Sequence, residues 1–181
     1  MEFSTCMQTR RSVRRFTGEP VSRELLSQAA AMAQHAPSWK NSQTVRYFFV
    51  DAPEKKANIA QTAVLGFGKN AEIIRNAAAL LVLTTLHGVS GYDADGTPTT
   101  AKGSHWESFD AGIAAQSFCL AAHDLGLGTV IMGIFDPDQV ASLLNLPEDQ
   151  MVSCLIAVGI PAEGPHGKPI RKPFSEIVTF V

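Results

Sequence analysis

The chain has 181 residues, 45% of them hydrophobic and 18% charged, with a net charge of −2, a balance that excludes a disordered or collagen-like polymer. At this length roughly 70% of the unfolded surface is buried on folding, so one compact domain over residues 1–181 is expected without a disulfide framework. The near-neutral charge gives no overall attraction to nucleic acid or an anionic membrane, so any basic site has to be local.

In chain order, Ser4 is placed to cap a short first helix that reaches Arg10-Arg11-Ser12-Val13-Arg14-Arg15, and Gly18 and Pro20 end that segment. Ser22 caps a second helix, where Glu24 suits the first turn and Leu25, Leu26, Ala29, Ala30 and Ala33 recur on one face. The stretch from Pro37 to Gln43 reads as a loop delivering into a strand, Val45 to Val50. Pro53 to Thr62 reads as an exposed helix carrying Lys55 and Lys56, and Asn70 to Arg75 as another short one.

Ala78 to Thr85 is a continuous apolar run of strand length, which predicts a central strand buried on both faces. Gly88 to Ser104 is a long polar loop, either a lid or a contact between copies. From Phe109 to Asp124 apolar residues surround the whole circumference, including Phe109, Ile113, Phe118 and Leu120, so a buried helix is expected, closed by Gly126. Thr129 to Met132 reads as a strand and Asp136-Pro137 as a helix start that Asn145 and Pro147 stop. Met151 to Ile160 is a further strand, and Ile177 to Val181 could add one at an edge. The longest apolar stretch falls far short of a bilayer span and the N-terminus has no signal core, so a soluble, cytoplasmic protein is expected.

The local chemistry is concentrated in a few places. Arg10, Arg11 and Arg14, with Ser12 between them and Lys168 and Arg171 far away in sequence, are the side chains that match phosphate oxygens, although an arginine-rich run also suits a solvated helix end. Asn41 and Gln43 can read the amide-like edge of a heterocycle, or simply belong to a turn. Neither a G-x-G-x-x-G nor a P-loop motif occurs, the five histidines lack metal-ligand spacing, and Cys6, Cys119 and Cys154 are scattered. No nucleophile elbow is present.

Arg10-Arg11-Ser12-Val13-Arg14-Arg15-Phe16, Pro20-Val21, Ala36-Pro37-Ser38-x-x-Asn41-x-Gln43, Leu120-Ala121-Ala122-x-x-Leu125-Gly126-Leu127-Gly128-Thr129 and Val158-Gly159-Ile160-Pro161 together resemble the FMN-dependent nitroreductase family. The resemblance runs from residue 8 to about 176. It implies an α+β sheet flanked by helices, an intertwined homodimer, and two FMN molecules in the interface. It further implies that Arg10, Ser12 and Arg171 hold the FMN phosphate with help from Arg11 and Lys168, and that Arg14 approaches the pyrimidine edge of the flavin. Pro37, Ser38, Trp39 and Asn41 match the loop that reaches the flavin from the partner subunit, Asn70 matches an asparagine at the ring, and Met132 with Gly133 match the backbone facing its reactive side.

The activity implied is hydride transfer from NAD(P)H to FMN and onward reduction of a nitroaromatic, a quinone or a free flavin by a ping-pong mechanism. The flavin carries the chemistry, and no side-chain acid or base is assigned. The alternative is a flavin-binding protein without NAD(P)H turnover, or one with a specialised reaction such as reductive dehalogenation or flavin breakdown. Three features depart from the family pattern: Gln43-Thr44-Val45 stands where Gln-Pro-Trp is usual, Ile73 stands where a lysine is frequent, and the chain is near the short end of the family.

Overall fold

A computed structural model describes residues 1–164 and 169–181. Strands β1 (Val45–Val50), β2 (Ala79–Leu86), β3 (Gly128–Met132) and β4 (Gln150–Gly159) form one sheet in the order β1-β2-β4-β3, antiparallel throughout. Helices α1 (Phe3–Thr9), α2 (Arg23–Ala33), α3 (Pro53–Thr62), α4 (Gly68–Asn76), α5 (His105–Asp124) and α6 (Pro137–Leu144) cover it, which is the α+β class expected.

Because successive strand residues point to opposite faces, β2 supplies two cores at once. Leu80 and Val82 pack with Ile59, Ile74 and Val140 of α3, α4 and α6, while Leu81 and Leu83 pack with Leu26 and Phe118 of α2 and α5. That double burial explains the unbroken apolar run of β2, and each leucine removed from water contributes about 1.5–3 kcal/mol. Helix α5 has no apolar stripe for a similar reason: it touches α1, α2 and strands β1 to β3. It closes with Gly126 at φ +81, whose N–H bonds to His123 O while Leu127 N bonds to Ala122 O at 2.8 Å, the paired bonds of a Schellman turn. Ser22 and Asp136 cap α2 and α6 through bonds from Leu25 N and Gln139 N.

Four local expectations are corrected. Ser4 lies inside α1, whose first turn follows Glu2 without a side-chain cap, and the helix stops at Thr9 before the basic run. An extended run lets Val13 and Phe16 turn inward, 6% and 9% exposed, while Ser12, Arg14 and Arg15 stay outside. Lys56 is buried rather than exposed, its ammonium donating to Ala77 O and Ala78 O in the segment that leaves α4 for β2. Phe109 is 54% exposed, because it lies on the one side of α5 that the sheet and α2 leave open. Ile177 to Val181 form no strand: a short 3-10 turn at Phe174–Glu176 is followed by exposed chain, with Phe180 90% exposed, since no sheet edge of this chain pairs with it.

Candidate cofactor-binding site

The basic run is fixed to the sheet by its backbone. Ser12 bridges to Thr129 of β3, Val13 N donates to Thr129 O at 2.9 Å, and Thr17 N donates to Ile160 O at 3.0 Å. Arg14 is thereby delivered to the open side of β3, and its guanidinium donates to Ser12 O at 3.2 Å.

Beside it lies a cleft of about 460 Å³ lined by Arg14, Arg15, Asn70, Ile73, Met132 and Ile134 among others. Three residues predicted to meet a flavin ring, 14, 70 and 132, thus converge from three separate segments. Asn70 is 7% exposed and donates from Nδ2 to Ile134 O at 3.1 Å, leaving its amide oxygen without a partner among the described residues. Gly133 has no atom within 4 Å of where a Cβ would sit, so the backbone between Met132 and Ile134 is open to close approach. Sequence reasoning missed Lys69 and Glu72, which also line the cleft; the first turns of α4 that carry Asn70 were the available signal.

Of the residues predicted for the phosphate, two come together separately. Arg11 and Arg171 line one cavity of about 380 Å³ with Met7, Gln8 and Pro169, and Arg11 donates to Gln8 O at 2.6 Å and Arg10 O at 2.7 Å, which orients its fork. Arg10, half-buried, and Ser12, exposed, do not line that cavity. Burial first, and then the charges of Arg10 and Arg11, lower the pKa of His123. Lys168 lies outside the described residues.

The Pro37, Ser38, Trp39 and Asn41 loop is not brought to this cleft. It leads into Val45, which pairs with Thr85 and through it with Met151, whereas Met132 pairs with Leu155. Loop and cleft therefore stand at opposite edges of a four-stranded sheet, about 14 Å apart across the strands and about as far again along them. The loop instead borders two other cavities against α5, one with Trp106 and Phe109 and one with Tyr47. Burial alone pushes the Tyr47 hydroxyl up to about 12, so it stays neutral. Trp39 and Trp106 rings lie 4.7 Å apart, and Trp39 Nε1 is a buried donor without a partner among the described residues.

Residues 7–67 and 63–160 match the model of the Nitroreductase family. The chain belongs to the nitroreductase family. Among relatives, a Bacillus subtilis FMN reductase [NAD(P)H] is 32% identical over 88% of this chain and 66% of its own length, and a Thermus thermophilus NADH dehydrogenase is 30% identical over 99% and 96%. The chain thus spans about two thirds of the Bacillus FMN reductase and nearly all of the Thermus protein. A solved structure described as an oxidoreductase containing FMN superposes with a TM-score of 0.80 at 26% identity, covering 97% of this chain and 89% of that one. The nitroreductases are oxidoreductases, and the fold described above is theirs. No helix among the described residues is long and apolar enough to cross a membrane.

Proposed function

We propose that the chain is one half of a homodimeric NAD(P)H-dependent oxidoreductase that holds FMN between its copies. The observation that carries this reading is the convergence of Arg14, Asn70 and Met132 on one cleft, with an arginine cavity reached by the same basic segment. When bound, FMN accepts a hydride from NAD(P)H and passes electrons to a nitroaromatic, a quinone or a free flavin.

The residues present fit such a group. Arg10, Arg11, Ser12 and Arg171 offer forks and a hydroxyl to a phosphate. Asn70 keeps a free amide oxygen for a heterocycle N–H, and Arg14 sets a positive charge where negative charge develops on reduction. Pro37, Ser38, Trp39 and Asn41 cannot serve their own chain's cleft across the sheet, so a second copy supplies them.

Titrating FMN into the cofactor-free protein, read by the visible spectrum, tests the reading. One FMN per chain is expected, with Asn70→Leu weakening it about 10-fold. A protein that takes up no flavin, or an Asn70→Leu variant with unchanged affinity, contradicts it.

A further inference from the structure

We infer that Asp110 is a positioning residue for FMN binding, acting through the 37–43 loop; this rests on the reading of that loop as the part that serves the partner's cofactor. The first observation is strain. Lys40, Asn41 and Gln43 have φ of 46°, 56° and 50°, three non-glycine residues in the left-handed region within four positions. Side chains with a Cβ disfavour that region, and such backbone persists only where the surroundings over-determine it.

The second observation is what does so. Asp110 is 2% exposed on a helix whose other buried residues, Glu107 apart, are apolar. A buried carboxylate there costs stability unless hydrogen-bonded, and helix packing alone gives no reason for it. Its oxygens accept from Trp39 N at 3.1 and 3.0 Å, and Oδ2 accepts from Ser90 Oγ at 2.6 Å. Ser90 Oγ lies 3.2 Å from both Ser42 Oγ and Thr44 Oγ1. One carboxylate therefore grips the loop at its start directly and at its end through a single hydroxyl.

The third observation concerns the segment that carries Ser90. Glu107, three residues before Asp110 and 1% exposed, accepts from Gly88 N at 2.7 Å and so fixes that segment to the same helix. Asp93 adds an ion pair to Lys40 at 3.3 Å, and Trp106 packs against Trp39 with the rings tilted by 44°. The 88–104 segment is a brace for the loop, and Asp110 is where brace, loop and helix meet. The strained loop is preorganised in each chain before a cofactor arrives, which lowers the ordering cost of binding.

FMN dissociation constants of the full chain test this, with Asn41→Gly as the reference because glycine tolerates the left-handed backbone while deleting the side chain. Asp110→Ala is expected to weaken FMN binding about 10-fold or more, the usual scale for hydrogen bonds to a charged group. The isosteric Asp110→Asn and the milder Ser90→Ala should lose part of that and keep the fold. Because Asp110 acts through the loop, Asp110→Asn combined with Asn41→Gly should lose no more than the larger single change. Wild-type affinity in the Asp110 and Ser90 variants, or full additivity with Asn41→Gly, overturns the inference. If Asn41→Gly itself binds FMN normally, the reading of the loop fails; unchanged fluorescence of the Trp39 and Trp106 pair in Asp110→Asn would then also show that Asp110 does not hold it.

Discussion

Val13 lies directly against the Cα of Gly128: a Cβ added there would come within 2.8 Å of the Val13 side chain. This contact seats the basic run on β3, since Ser12 bridges to the neighbouring Thr129 and Arg14 reaches the cleft two residues on. Gly128→Ala should cost about 1–3 kcal/mol by overpacking and weaken FMN binding by displacing the run. Thermal denaturation and flavin titration check both, and Val13→Ala in the same chain should recover part of each loss. An affinity untouched by Gly128→Ala would separate the run from the site.

The cavity shared by Arg11 and Arg171 joins residues 160 positions apart in sequence. Arg171→Ala should weaken FMN binding by about 1.5–3 kcal/mol, the range of a charge-assisted hydrogen bond, while riboflavin, which lacks the phosphate, should bind both proteins alike. Equal losses for the two ligands would remove Arg171 from the phosphate.

Lys56 is held in a buried position by two carbonyls, and burial lowers its pKa. Between that lowered value and the ordinary lysine pKa the unfolded chain binds more protons, so stability rises with pH there and falls as the pH drops through the folded pKa. Lys56→Met should leave both carbonyls unpaired at a cost of about 1–3 kcal/mol. Urea denaturation should show the wild type's advantage widening as the pH climbs toward the ordinary lysine range; a gap that narrows would contradict the burial argument.

Much of the fold was legible because strong periodic or punctuated segments met their expected neighbours. β1 and α3 begin and end at the residues read from the sequence, and Ser22, Asp136, Asn145 and Gly126 punctuate helices as their chemistry predicts. Lys56 and Asp110 were not legible as buried groups, because their partners are backbone atoms and hydroxyls from other segments that leave no spacing in the sequence. The basic run looked helical for the converse reason: its extended path is set by Thr129 and Ile160, more than a hundred residues away. The cleft's Arg14, Asn70 and Met132 came from a family resemblance that spacing alone could not supply.

Arg14 lines the cleft with no acidic partner among the described residues. Its charge should count for more when the bound cofactor is reduced than when it is oxidised. Arg14→Gln should therefore lower the flavin midpoint potential and slow reduction by NAD(P)H more than it weakens binding of oxidised FMN. Equal losses of affinity for both redox states, with the potential unmoved, would make Arg14 an anchor only.

The most direct test is anaerobic reduction of the FMN-loaded protein, followed by steady-state kinetics with a quinone. One open cleft has to receive NAD(P)H and the acceptor in turn, so NADH or NADPH alone should bleach the flavin absorbance, the quinone should restore it, and double-reciprocal plots should be parallel. Flavin that stays oxidised under excess NADH and NADPH, or intersecting lines that require both substrates bound together, would contradict this.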